Sequence, residues 1–164
     1  MSRIVDGVRS LGDKLWFAAV LRRLVWFDRW AREVTMGRFS PVGDVVLPTL
    51  LIVTTGSRTG RRRSQPLAYV SDGDDYVVVG SNWGQQHHPA WSGNLLANPD
   101  ACVVLDGTAV EVRAHLVTGD ERRALWSRFE EVWPAFRTYE QRAAGREIRM
   151  FRLAPRMTTN NVEE

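Results

Sequence analysis

Six short runs of β-branched and aromatic residues, most of them joined by tight turns, constrain the fold of this chain more than any other feature. TLLIVTT, SQPLAYV and DYVVVGS follow one another between residues 49 and 81, and SDGDD separates the last two. ACVVL and TAVEVRAHLV are joined by Asp106-Gly107, and IRMFRLA comes last. Asp-Gly is typical of two-residue hairpin turns, which join antiparallel strands. The sequence therefore predicts a mostly antiparallel sheet, and six strands can close it into a small barrel.

Helical segments flank these strands, so the predicted fold class is α+β. Residues 2–36 carry apolar residues at spacings of three and four, and their second half mixes aromatic residues with arginines. We predict a long N-terminal helix there. Shorter helices are predicted in HPAWSGNLLANP, ERRALWSRFEEVW and PAFRTYEQRAA. The predicted organisation is a helical extension at residues 1–44, a barrel domain at 45–156 and a frayed tail at 157–164.

The composition is that of a globular domain and argues against several classes of protein. The chain has 164 residues, 44% of them hydrophobic, and a net charge of only +3. No continuous basic stripe suits a polyanion, so nucleic-acid binding is not predicted. Cys102 is the only cysteine and the three histidines lack partners at metal-ligand spacing, so neither an intramolecular disulfide nor a metal site is expected. Without a signal peptide or a membrane span, the expected location is cytoplasmic.

TTGSRTGRRR, residues 54–63, places a glycine turn and four arginines at the end of the first strand. Successive backbone N–H groups in such a turn can bind an anion, and guanidinium groups add charge-assisted hydrogen bonds. The glycine spacing is not that of a nucleotide P-loop, and a strand rather than a helix follows, which excludes a Rossmann fingerprint. Two interpretations stay open: a solvated hairpin end, or a site for a compact anionic ligand.

GSNWGQQHHPAW, residues 80–91, is a second candidate for ligand binding. Its glycines permit close approach of the backbone to a ligand, and its tryptophans offer flat apolar surface. The chain has no convincing Ser-His-Asp or Cys-His arrangement, so nucleophilic hydrolysis is disfavoured. The two segments together indicate an anionic, planar cofactor that brings its own chemistry.

Four motifs in this order resemble the deazaflavin-dependent nitroreductase family and its F420H2-dependent quinone reductases: TTGSRTGRRR, YVVVGSNWG, HHPAWSGNLLANP and YEQRAAGREIRMFRL. The resemblance runs from about residue 47 to residue 155. It implies a split β-barrel oxidoreductase that uses the reduced deazaflavin coenzyme F420. In that family the basic turn holds the phosphate and the acidic tail of the coenzyme, and the Gly-Ser-Asn loop lines its ring.

The resemblance also implies roles for individual residues. The implied coenzyme-binding residues are Thr55, Gly56, Ser57, Arg58, Thr59, Gly60, Arg63, Pro66, Gly80, Ser81, Asn82, Trp83, Gly84, Ala90, Trp91 and Asn94. Arg61 and Arg62 lie in the same turn and could reach the tail. The family's substrate pocket carries several tyrosines, and here Trp133, Phe136 and Tyr139 occupy those positions. Tyr139 is the expected proton donor or relay, and Ser81 is the alternative.

We therefore predict hydride transfer from reduced F420 to a quinone, a nitro compound or an activated alkene. An FMN-dependent split-barrel oxidoreductase is an alternative, because the same barrel suits either ring. A non-catalytic carrier of an isoprenoid or fatty acyl ligand is another, given the apolar Trp133 and Phe136. Barrels of this kind often pair through their sheets, which predicts a homodimer. The aromatic segment 1–36 raises the hypotheses of peripheral contact with the inner face of the membrane and of a lipophilic acceptor.

Overall fold

The structure is a computed structural model and describes residues 48–156. The predicted N-terminal helix at residues 2–36, its boundary near residue 44 and the predicted tail at 157–164 lie outside the described residues.

A closed six-stranded barrel forms the body of the described chain. Its strands are β1 (Thr49–Thr55), β2 (Arg62–Asp72), β3 (Asp75–Val79), β4 (Asp100–Leu105), β5 (Thr108–Val117) and β6 (Met150–Pro155). They are arranged in the order β1-β2-β3-β6-β5-β4, and every neighbouring pair is antiparallel. The pairing of β1 with β4, in which Val53 lies opposite Cys102, closes the barrel. The predicted six-stranded antiparallel barrel is thus confirmed.

Three α-helices occur in the described residues, in the three segments for which the sequence predicts them. They are α1 (Ala90–Ala97), α2 (Gly119–Val132) and α3 (Ala135–Arg142). Helix α1 begins directly after Pro89, whose fixed backbone suits a helix start, and ends at Asn98 before Pro99. A short 3₁₀ turn, Asn82–Gly84, lies between β3 and α1.

Two hydrophobic clusters follow from the alternation of side chains along the strands. Inward-facing residues and two residues of α1 fill the barrel: Leu50, Ile52, Val78, Trp91, Leu95, Ala101, Val103, Val112, Ala114, Phe151 and Leu153. The second cluster packs α2 and α3 against the outer face of the strands: Val70, Val77, Val79, Val117, Leu125, Trp126, Phe129, Trp133, Ala135, Phe136, Tyr139, Ala143, Ile148 and Met150. One face of α1 therefore packs on the barrel core, whereas α2 and α3 cover the outside of the barrel.

An ion cluster joins the β2–β3 hairpin to α2. The Arg152 guanidinium contacts Asp72 at 2.7 Å, Asp75 at 3.0 Å and Glu121 at 2.7 Å. Arg128 of α2 also contacts Asp72, at 2.7 Å. Hydrogen bonds from Arg152 and then from Arg128 lower the pKa of the Asp72 carboxyl. The carboxylates therefore neutralise the arginines in this part of the molecule.

Candidate functional site

The arginine turn is a compact loop closed by its own backbone. The Gly56 N–H donates to the Arg61 carbonyl at 2.8 Å, and the N–H groups of Thr59 and Gly60 donate to the Gly56 carbonyl at 3.2 and 2.8 Å. A Cβ at Gly56 would lie 3.0 Å from Thr59 Oγ1 and 3.1 Å from the Arg61 carbonyl oxygen, so any larger residue would have to displace these neighbours by a few tenths of an ångström. These three N–H groups, expected as anion donors, are engaged within the turn. These three N–H groups are therefore not available to bind the predicted anion, whereas the exposed guanidinium groups are.

Asn94 of α1 fixes this turn to the barrel. Its Oδ1 accepts a hydrogen bond from the Ser57 N–H at 3.0 Å, and its Nδ2 donates to Thr54 Oγ1 at 3.0 Å. Thr54 is 1% exposed and Asn94 is 6% exposed. Asn94, predicted to contact the coenzyme, thus uses its amide to hold the loop that carries the arginines.

The four arginines of the turn differ in direction because two of them belong to a strand. β2 begins at Arg62, two residues before the predicted start of the second strand, and Arg62 pairs with Thr55 while Arg63 pairs with Thr54. Side chains opposite each other in an antiparallel pair lie on the same face. Arg63 therefore shares the face of buried Thr54, towards α1, and Arg62 lies on the other face.

All four arginines of the turn are exposed, and none of them makes an ion pair with a residue in the range 48–156. They are Arg58, Arg61, Arg62 and Arg63. Seven other described arginines contact carboxylates: Arg113, Arg122, Arg123, Arg128, Arg137, Arg152 and Arg156. Guanidinium groups without a carboxylate partner are available to bind phosphate or carboxylate groups of a ligand.

The Gly-Ser-Asn loop, residues 80–88, follows β3 and has an unusual backbone. Asn82, Trp83 and Gly84 all have positive φ, at 48°, 57° and 75°. A Cβ at Gly84 would lie 2.8 Å from the Arg142 Cβ and 3.0 Å from the Tyr139 backbone, so this loop packs directly on α3. Non-glycine residues in the left-handed region cost about 1–2 kcal/mol each. Surrounding contacts must therefore hold the loop in this shape.

Arg146, for which the sequence gives no sign of a role in the site, supplies several of those contacts. It lies between α3 and β6, and its guanidinium donates to the carbonyls of Ser81 at 2.8 Å, Gln85 at 3.0 Å and Gly80 at 3.2 Å. Its Nη1 is also 3.3 Å from His88 Nδ1. Burial, and then the charge of Arg149, lower the pKa of Arg146.

Several predicted site residues are buried in the hydrophobic clusters. The Trp91 ring lies inside the barrel, 5.8 Å from the Phe151 ring, and does not present an exposed face. Trp133, Phe136 and Tyr139 are between 2% and 5% exposed, and Trp133 Nε1 donates to the Tyr139 hydroxyl at 3.3 Å. Trp83 is partly buried and packs edge-on against Tyr139, with ring centroids 6.0 Å apart. Their assignment to a substrate pocket stays a prediction.

The remaining predicted residues lie around these two segments. Thr55 ends β1, Pro66 is buried in β2, and Ala90 is the exposed first residue of α1. Within residues 48–156, no group of three His, Cys, Asp or Glu side chains is placed to hold a metal ion. No helix in the same range is long and apolar enough to cross a membrane.

Helix α1 brings the two halves of the predicted site together. Asn94 holds the arginine turn, and Ser92, two residues earlier, accepts a hydrogen bond from Arg149 at 3.3 Å. The Arg149 carbonyl accepts from the Gly80 N–H at 2.8 Å at the start of the Gly-Ser-Asn loop. The described chain is thus a six-stranded barrel in which one short helix, α1, links an arginine turn without carboxylate partners to a glycine-containing loop. This arrangement indicates a small split-barrel protein that binds a cofactor.

Comparisons with known proteins agree with this class. The family model described as F420H(2)-dependent quinone reductase matches residues 21–155. The Mycobacterium tuberculosis protein Rv3178 is 34% identical over 90 residues, which are 55% of this chain and 76% of that protein. The M. tuberculosis F420H(2)-dependent quinone reductase Rv1261c is 47% identical over 53 residues, 32% of this chain and 36% of the relative.

Solved structures show the same similarity. An F420-H2 dependent reductase, FDR-A, superposes with a TM-score of 0.59 at 31% identity, over 65% of this chain and 93% of that one. A chain described as a domain-swapped dimer gives a TM-score of 0.61 at 31% identity, over 76% and 96% of the two chains. This chain belongs to the F420H(2)-dependent quinone reductase family, and it is an oxidoreductase.

Proposed function

We propose that this protein transfers a hydride from reduced F420 to a quinone or a similarly electron-poor acceptor. The observation that carries the proposal is the juxtaposition, on α1, of an unneutralised arginine turn and a glycine-containing loop. Family membership supports F420 as the coenzyme. The donor set suits this coenzyme, because exposed guanidinium groups match a phosphate and an acidic tail, and a glycine-containing backbone can approach a planar ring.

Arg58 and Arg63 would hold the acidic arm of the coenzyme, and the backbone of Gly80 and Ser81 would line its ring. When bound, reduced F420 supplies the hydride. The protein orients the two reactants and limits the access of water, which are the contributions that a rigid scaffold makes to such a reaction.

A proton must also reach the reduced acceptor, and two hydroxyl groups were predicted for this task. Ser81 is partly exposed, whereas the Tyr139 hydroxyl is buried and accepts a hydrogen bond from Trp133. Because its side chain is the more accessible to solvent, Ser81 is favoured over Tyr139 as the group that delivers the proton. Two of the three residues predicted to line the substrate pocket, Trp133 and Phe136, carry no hydroxyl group, which favours an apolar acceptor such as a quinone over a polar nitro compound.

Coenzyme titration and turnover test the proposal directly. Purified protein should bind oxidised F420 more tightly than FMN and should oxidise reduced F420 when menadione is added. Arg63→Ala should weaken F420 binding about tenfold, because a charge-assisted hydrogen bond contributes about 1.5 kcal/mol at an exposed site.

Arg137→Ala is the matched control for this experiment. Arg137 is a largely exposed arginine on α3 that pairs with Glu130 at 3.0 Å, and it belongs to neither the arginine turn nor the Gly-Ser-Asn loop. Its removal should leave F420 affinity unchanged. Equal affinities of the wild type and the Arg63→Ala variant would contradict the role of the turn, and the absence of F420 binding by the wild type would contradict the function.

A homodimer and contact of residues 1–36 with a membrane are further parts of the proposal. The relative described as a domain-swapped dimer supports the first. The aromatic and arginine content of residues 16–32 supports the second. Light scattering on the purified chain measures the mass of the assembly, and sedimentation with anionic liposomes, with and without residues 1–36, measures membrane contact.

A further inference from the structure

One guanidinium group that reaches across the fold, that of Arg146, contacts several carbonyls of the Gly-Ser-Asn loop. Arg146 donates to three carbonyls of this loop, those of Gly80, Ser81 and Gln85, at 2.8–3.2 Å. Each acceptor lies more than 60 residues earlier in the chain. No carboxylate in residues 48–156 pairs with Arg146, so its positive charge is directed entirely at backbone oxygens and at the His88 ring.

These bonds act on the part of the loop whose conformation is least favourable. Asn82 and Trp83 are non-glycine residues with positive φ, a conformation that persists only where surrounding contacts impose it. A peptide unit is planar and trans, so a carbonyl fixed by Arg146 also fixes the N–H group on the other side of the same peptide. Arg146 therefore sets the orientation of the peptides between Gly80 and Asn82, and with them the starting position of the Ser81 side chain.

Two further contacts hold the other end of the loop. The Asn82 side chain donates to the His87 carbonyl at 3.1 Å, and Gly84 packs against the backbone of Tyr139. These contacts act after Asn82, whereas those of Arg146 to Gly80 and Ser81 act before it. Arg146 thus bonds both carbonyls that precede Asn82, and the Ser81 carbonyl also accepts a hydrogen bond from the Gly84 N–H at 3.0 Å.

We propose that Arg146 is a positioning residue, which shapes the Gly-Ser-Asn loop so that the coenzyme ring and the acceptor meet in a reactive arrangement. The part of this proposal that concerns turnover rests on the F420 function proposed above. The arginine turn holds the acidic arm independently of this loop. Loss of Arg146 should therefore reduce turnover more than it reduces coenzyme affinity.

The first test measures the loop itself and needs no coenzyme. Hydrogen exchange, followed by mass spectrometry, is compared for the wild type, Arg146→Met and Arg146→Lys. In Arg146→Met, peptides that cover residues 80–88 should exchange about tenfold faster, while strand β1 keeps its protection. Arg146→Lys keeps the charge but cannot span three carbonyls, so it should give an intermediate rate. Unchanged exchange in residues 80–88 in either folded variant would overturn the proposal, whatever the coenzyme.

The second test separates positioning from a merely structural role. At saturating reduced F420, kcat with menadione should fall about tenfold or more in Arg146→Met, since small displacements of reacting groups have effects of this size. The F420 dissociation constant should change less than about threefold, and Arg146→Lys should recover part of kcat. Arg63→Ala should show the reverse, with weaker binding and nearly normal kcat at saturation.

Arg137→Met is the matched control, because Arg137 is an exposed arginine on the neighbouring helix α3. It should leave the exchange pattern, the F420 affinity and kcat unchanged. A normal kcat in a folded Arg146→Met variant would reduce Arg146 to a stabilising residue and overturn its positioning role. Lack of F420 turnover by the wild type would instead reject the proposed function, and hydrogen exchange would still decide whether Arg146 shapes the loop.

Discussion

Replacing Asn94 by alanine tests how the arginine turn is attached to the barrel. The substitution removes two hydrogen bonds of 3.0 Å, one from the Ser57 N–H and one to the Thr54 hydroxyl. Ser57 is exposed, so water can replace its partner, and the loss there should be about 1 kcal/mol. Thr54 is buried, so its hydroxyl loses a partner that water cannot easily replace, at about 1–3 kcal/mol. The free energy of unfolding should therefore fall by about 2–4 kcal/mol.

Urea unfolding and F420 titration of the same preparations measure both consequences. Besides the loss of stability, F420 affinity should fall, because Ser57 no longer anchors the turn that carries Arg58. Asn98→Ala is the matched control at the end of the same helix. Asn98 Oδ1 accepts one hydrogen bond, from the Asp100 N–H at 3.2 Å, so this variant should lose only about 1 kcal/mol and keep its affinity.

Asn94→Asp separates shape from charge at the same position. The aspartate is almost the same size, and its oxygens can accept from both Ser57 and Thr54, so part of the stability should return. Its negative charge lies beside the arginine turn and should keep F420 affinity low. The reasoning fails if Asn94→Ala unfolds within about 0.5 kcal/mol of Asn98→Ala, or if Asn94→Asp binds F420 as tightly as the wild type.

Two further predictions concern the Gly-Ser-Asn loop. Gly84→Ala should cost about 2–4 kcal/mol of stability in urea unfolding, because a Cβ meets the α3 backbone at 3.0 Å with φ at 75°. Gly93→Ala, where nothing lies within 4 Å, should instead stabilise α1 by about 0.5–1 kcal/mol, and equal effects would contradict this. Burial, followed by the charges of two neighbouring arginines, lowers the pKa of His88 below its usual 6.5. His88 therefore binds a proton more readily in the unfolded chain than in the folded chain, and the free energy of unfolding should fall as the pH drops below 6.5. This fall should be smaller in the His88→Gln variant.

The barrel could be predicted from the sequence because its determinants are local. Asp106 and Gly107, both with positive φ, form the two-residue turn between β4 and β5 that their sequence indicates. The sequence predicts that β2 begins at Ser64, two residues too late, because Arg62 and Arg63 look like turn residues. They are strand residues because Thr55 and Thr54 pair with them. Tertiary pairing extends a strand beyond the point at which local composition stops favouring it.

The parts of the site that could not be predicted depend on contacts between distant residues. Arg146 meets its carbonyl partners across more than 60 positions, and an arginine in AAGREI carries no local signal of this role. The burial of Trp91 in the barrel likewise depends on the packing of α1, which its surrounding motif does not specify. The motif predicts the region of the site, and the fold shows which of its residues are buried in the hydrophobic clusters and which are exposed.

The position of α1 also restricts the kind of ligand that can use both halves of the site. Ser92 and Asn94 are two residues apart, which is about 200° around a helix, so they face nearly opposite sides. One side chain serves the arginine turn and the other contacts Arg149 near the Gly-Ser-Asn loop. A helix with its side chains is about 10 Å wide, so the two contact regions are separated by roughly that distance. A small inorganic anion cannot span it, and an uncharged lipid would not use the guanidinium groups. A ring that carries a long acidic arm satisfies both requirements.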